Sequence, residues 1–133
     1  MLTVRHSLYM SRFRKHVSDT RKHLQEPDYV QASEKVWGAM SSFVNAMSIV
    51  EVTGVRDKKE KFSDLYTQLS VKHTDLKQAL KNAHCDNAFQ FATKAEGLHL
   101  YFFGARDYPE HFIKSTLEES VKLLEEVEKV FPK

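Results

Sequence analysis

Apolar residues return along this chain at intervals of three and four, and no stretch alternates apolar with polar positions as a half-buried strand does. Val4, Leu8, Phe13, Val17 and Leu24, with Met10 and Thr20 completing the stripe, predict a helix over about residues 3–24. The segment QEPD ends it, because Pro27 disfavours helical backbone at Glu26. Asp28 then offers a capping oxygen to a second helix over about residues 29–52. Tyr29, Ala32, Val36, Met40, Phe43, Met47 and Val50 form one face of it, and Val30, Trp37 and Val44 widen that face. This helix is therefore predicted to be the most buried element.

Gly54 marks the expected C-cap region, and VRDKKEK after it reads as an exposed connection. Over about residues 60–84 the pattern weakens. Phe62, Leu65 and Leu69 support one short helix, a break is expected near 70–74, and Thr74 caps a second with Leu76 and Leu80. Asp86 or Asn87 opens a long helix carrying Ala88, Phe91, Ala92, Ala95, Leu98 and Phe102 on one face, and Gly104 closes it. Gly97 inside that helix costs about 1 kcal/mol relative to Ala, which points to close approach of a neighbouring helix. The last helix runs from about Pro109 to Val130, with Pro109 at its first position and Asp107 as a nearby cap. Ile113, Leu117, Val121, Leu124, Val127 and Phe131 make its buried stripe. These elements predict an all-α fold: an antiparallel up-and-down bundle of four long helices plus one or two short ones, in a single domain over residues 1–133.

Composition agrees with long helices, since 133 residues contain only four Gly and three Pro. The lone cysteine, Cys85, rules out an internal disulfide and makes a reducing compartment the default. No apolar run approaches the ~20 residues that span a bilayer, and the N-terminus lacks the uninterrupted apolar stretch of a secretory signal. A cytoplasmic protein without membrane contact is expected.

The net charge of +2 hides an uneven distribution. Residues 1–24 carry Arg5, Arg12, Arg14, Lys15, Arg21 and Lys22 against Asp19 alone, a net of +5. Residues 107–133 carry four lysines against seven acids, a net of −3. A solvated face explains this most simply. A nucleic-acid surface on the first helix and head-to-tail attraction between copies are the other readings.

Most catalytic chemistry finds no foothold. The seven histidines form neither a His-Glu-x-x-His pair nor Glu-x-x-His pairs, and His84 beside Cys85 has no second ligand pair nearby, so no metal is expected. No Gly-rich phosphate loop, nucleophile elbow or cysteine-nucleophile motif occurs, and no cofactor is called for. His16 and His23 read as surface histidines. A helical repeat would need a second copy of DYVQASEKVWGAM about 34 residues on, and KFSDLYTQLSVKH does not supply it. Candidate ligand-binding residues are Lys35 on a polar flank, Trp37 in or near the core, and His99 at the margin of an apolar face. Against them stand a solvated Lys35 and a His99 hydrogen-bonded within the bundle.

DYVQASEKVWGAM, followed much later by KAEGLHLYFFGARDYPEHF and a long acid-rich final helix, resembles the archaeal PaREP-type proteins, within the wider HEPN (higher eukaryote and prokaryote nucleotide-binding) helical-bundle superfamily. The resemblance covers about residues 20–131. It implies a four- to five-helix bundle that often dimerises. In the toxin-type members it also implies a metal-independent ribonuclease, whose Arg and His have four to six residues between them and meet their counterparts across a dimer. Arg106, the polar Asp107 and His111 match that pattern. The residue types suit the chemistry, since an imidazole exchanges a proton near neutral pH and a guanidinium grips two phosphate oxygens. Pro109 between them predicts that Arg106 precedes the helix and His111 lies in its first turn. With no complete catalytic constellation elsewhere, the leading expectation is a non-catalytic module that binds a nucleotide, a nucleotidyltransferase-like protein or a second copy of itself. The alternative is an endoribonuclease using Arg106 and His111 across a homodimer.

Overall fold

The computed structural model describes residues 4–131, so the expected helical start at Thr3 lies outside the described residues. Six helices follow one another: α1 (Val4–Gln25), α2 (Tyr29–Met47), α3 (Val55–Lys72), α4 (Thr74–Asn82), α5 (Ala88–Phe102) and α6 (Glu110–Val130). No strand occurs among the described residues, and none of their helices is long and apolar enough to cross a membrane. The all-α fold is as expected.

α2 is the axis, and it packs against α1, α3, α5 and α6. Residues 39–46 (AMSSFVNA) are buried without interruption, so for two turns this helix is almost wholly covered. The small residues Ala39, Ser41, Ser42 and Ala46 let neighbouring backbones close in, while Phe43 supplies bulk. The Phe43 ring lies 6.2 Å from Phe13 of α1, 5.8 Å from Phe62 of α3 and 5.4 Å from Phe131 beyond α6. Phe62 carries the stack on to Phe91 of α5 at 5.6 Å. Offset and edge-on ring pairs at such distances add to what burial alone contributes.

α1 runs antiparallel to α2. At one end Arg5 donates to the carbonyls of Asn45 at 2.7 Å, Ser48, and Ile49 at 2.6 Å, and His6 Nδ1 donates to Ala46 O at 2.7 Å. Midway along the pair, His16 lies against Gly38. α6 is antiparallel to α1 as well. Arg21 sits 3.6 Å from Glu125 and 3.7 Å from Glu128, and Phe131 stacks on Phe13 at 5.0 Å. The basic first helix thus meets the acid-rich last one inside the chain, although ion pairs this exposed add little stability.

Several boundaries differ from the sequence pattern, each for a physical reason. α2 stops at Met47 rather than near residue 52, because Ser48 turns extended and Arg5 and His6 take up the freed carbonyls from forty residues away. Gly54 is consequently the N-cap of α3 rather than a C-cap of α2. VRDKKEK is helix, not connection. Its turns are held by an Arg56–Glu60 pair at 2.9 Å and by Lys59, which reaches Glu96 at 2.8 Å over the ring of Phe89, so an apolar stripe is not needed before Phe62. α3 is therefore a fifth long helix.

The break falls where expected, but His73, not Thr74, occupies the cap. The Tyr66 hydroxyl donates to Leu76 O across that bend. Asn87 caps α5 through Gln90 N at 2.9 Å, and Gly104 takes φ +74 just beyond its end. Pro109 is the N-cap of α6 rather than its first residue, and Asp107 accepts from Tyr108 N instead of capping the helix. Val4, Leu8, Val30 and Val50, assigned to apolar stripes, are exposed: the first three sit on outward helix edges and Val50 lies past the end of α2.

Truncating the ring at the axis should cost far more than truncating a residue off it. Phe43→Ala is expected to lose ~3–5 kcal/mol of unfolding free energy, and Ile49→Ala, which is 96 % exposed, less than ~0.5 kcal/mol. Urea titration followed by circular dichroism measures both, and equal losses would contradict this packing.

Candidate functional site

Two places gather the candidate residues. The first is the α5–α6 end. The seven-residue connection 103–109 leaves Arg106 exposed before the helix, and His111 is exposed as the second residue of α6, as Pro109 requires. No hydrogen bond or ion pair joins the two. Arg106 Nη1 instead donates to the Tyr108 hydroxyl at 3.3 Å, and both groups lie over Gly97 of α5. A Cβ at that position would stand 2.6 Å from Tyr108 Oη and 3.2 Å from Arg106 Nη1. Gly97 thus makes room for the connection, not for a neighbouring helix.

Aromatic rings surround this end. Tyr101, Tyr108 and Phe112 form a run with centroids 5.8 and 5.3 Å apart, and Phe102 and Phe103 meet edge-on at 5.0 Å. Phe103 is 66 % exposed and Phe112 48 %. Nothing among the described residues orients the His111 imidazole, so within one chain Arg106 and His111 form no general acid–base pair.

The second place is a cleft of about 420 Å³ between α1, α2 and the start of α3. Trp37 closes one wall. His99 stacks on it at 5.1 Å, and His99 Nδ1 donates to Glu34 at 2.8 Å. That partner across 65 residues makes His99 a fixed part of the bundle. Phe103 then meets the His99 ring edge-on at 4.9 Å, so a chain of rings links the cleft wall to the α5–α6 end. Of the three residues proposed for a ligand, Trp37 and His99 come together, while Lys35 is half-buried and lines no part of the cleft.

Like His23, His16 is a correction, because it is half-buried rather than a surface histidine. Gly38 admits it: a Cβ there would stand 3.0–3.2 Å from three atoms of the imidazole. The sequence signal was Gly38 itself, a glycine within a helix, which often marks close approach.

The six basic residues of α1 divide. Arg5 is spent on the carbonyls that end α2, Arg21 faces α6, and Arg14 lies over the ring of Phe131 at 5.8 Å. Arg12, Lys15 and Lys22 face solvent at helical spacing, with Lys15 paired to Asp19 at 3.3 Å. No cluster of three or more metal-ligating side chains occurs among the described residues.

Burial, reinforced by the charge of Lys35 and more weakly by Lys15 and Arg12, holds the His16 imidazole below its usual range; Asp19 opposes the shift. The folded chain therefore takes up this proton at lower pH than the unfolded chain does. The stability His16 contributes is complete above about pH 6.5 and is lost as pH falls through the folded value. Urea midpoints measured from pH 7.5 to 5 should fall more steeply for the native chain than for His16→Gln. Parallel curves would contradict the burial argument.

The model of the archaeal PaREP1/PaREP8 family matches residues 8–129. Neither a curated protein nor a solved structure matches the chain. With the match running from the first helix to the last turns of the sixth, this chain belongs to the archaeal PaREP1/PaREP8 family.

Proposed function

We propose that this protein is a non-catalytic interaction module that associates with a second copy of itself through the α5–α6 end. The observation carrying this reading is the exposure of Phe103 and Phe112 beside Tyr101 and Tyr108, at an end framed by Arg106 and His111. Large rings exposed together, with polar groups at the rim, have the composition of an interface core rather than of a solvated turn. Arg106 is held back against α5 by Tyr108, and His111 is unoriented, which supports a contact role over catalysis. The resemblance to HEPN-type bundles, which often dimerise, points the same way. A nucleotidyltransferase-like partner or a nucleotide would compete for the same end.

One observation favours a second reading. Arg106 and His111 lie at the end through which two copies would meet, so pairing would bring two of each together, as a metal-independent ribonuclease of the HEPN toxin type needs.

Light scattering after size exclusion should give a dimer. Phe103→Ser/Phe112→Ser should convert it to a monomer with an unchanged circular dichroism spectrum, and Arg106→Ala/His111→Ala should leave it dimeric. A native chain that stays monomeric at all concentrations would overturn self-association. Single-stranded RNA incubated in EDTA should remain intact. Cleavage to cyclic-phosphate ends that His111→Ala abolishes would establish the ribonuclease instead.

A further inference from the structure

The cleft between α1, α2 and α3 holds polar groups that the fold itself does not use. Ser41 is buried (9 % exposed), and its hydroxyl has no hydrogen-bond partner. The buried hydroxyls of Thr20, Ser33 and Ser48 all donate back to a carbonyl four residues earlier. Ser41 makes no such bond. His16 Nδ1 is likewise buried without a partner, and both residues line the cleft. Buried polar atoms left in this state destabilise a fold, so they are ordinarily satisfied.

Two cations complete the wall. The Arg12 guanidinium rests over the ring of Tyr9 at 5.2 Å, and the Lys58 ammonium over Trp37 at 5.9 Å. Neither pairs with a carboxylate among the described residues, so an aromatic face holds each charge in place without neutralising it. The two carboxylates of the cleft are engaged, Glu34 by His99 and Glu51 by the Tyr9 hydroxyl. What remains unspent is a set of donors: a guanidinium, an ammonium and a hydroxyl, with an imidazole beside them.

These donors come from three helices, Arg12 from α1, Ser41 from α2 and Lys58 from α3. Convergence from three elements suits an acceptor with oxygens pointing in several directions better than a planar carboxylate. A volume of about 420 Å³ exceeds what a bare phosphate fills and falls in the range of small-molecule sites. We propose that this cleft binds the phosphoryl group of a small phosphomonoester, gripped by Arg12 and Lys58 and hydrogen-bonded by Ser41, with His16 against its edge. Glu51 weakens the site by repulsion and keeps it selective for ligands that also offer a donor. The site is separate from the α5–α6 end, so it stands or falls independently of self-association.

The full chain titrated with inorganic phosphate, glycerol 3-phosphate and acetate, followed by nitrogen–proton correlation spectra, tests this. Both phosphates should shift the amides around Ser41 and His16, the ester binding at least threefold tighter, and acetate should shift neither. Arg12→Gln/Lys58→Gln should weaken phosphate binding at least tenfold with an unchanged spectrum of the folded backbone, and Glu51→Gln should strengthen it. Ser41→Ala should raise the melting temperature, because it removes an unpartnered buried hydroxyl, yet weaken binding. A merely structural serine would not separate those two readouts. Absence of cleft shifts, equal shifts with acetate, or affinity unchanged in the double variant would overturn the proposal.

Discussion

Everything else in this bundle hangs on the burial of α2 around Phe43. One ring touches residues from three other elements, and through Phe62 a fourth joins the stack. A helix covered on most sides leaves little freedom to its neighbours, because interiors pack at near-crystalline density and each neighbour must fit the same ridge of side chains. That constraint explains why Ser41 and Ser42 appear in the middle of an otherwise apolar run, while Asn45 is there to accept from Val52 N at 2.6 Å through its Oδ1. Small polar residues allow close approach where larger apolar ones would hold α1 and α3 away.

The same closeness creates the cleft. Gly38 draws the His16 ring onto α2, and the resulting gap beside Trp37 leaves two buried polar atoms without partners. Stability alone would favour a residue that fills or satisfies such a place. A fold that spends so much of α2 on apolar contact, yet leaves these atoms uncompensated at its edge, behaves like one that gives up some stability where a ligand is to be held. At the opposite extreme, the α5–α6 end leaves Phe103 and Phe112 exposed, on the surface proposed for self-association.

The helices themselves were legible because each carries its own apolar period, and the all-α architecture followed from that period with so few Gly and Pro to interrupt it. Their ends were not. α2 is closed by Arg5 and His6, which no local window around Met47 contains, and the charged opening turns of α3 imitate a loop until Lys59 finds Glu96. The placement of Arg106 and His111 on either side of Pro109 could be read from the chain, but the pairing of Arg106 with Tyr108 over Gly97 could not. Trp37 and His99, both ligand candidates by sequence, are adjacent although they lie on different helices. Glu34, which fixes His99, gives no signal because it is 65 residues away, and the half-buried place of His16 is not legible because the meaning of Gly38 depends on what crosses it.

If α2 is the fixed axis, its amides have no local route to solvent. Native-state hydrogen exchange over residues 39–46, measured against increasing denaturant, tests this directly. These amides should exchange only through global unfolding, with the largest free energies in the chain and a denaturant dependence equal to that of whole-molecule unfolding. Exchange of these amides through a lower-energy local opening, with α4 or α6 better protected than α2, would contradict it.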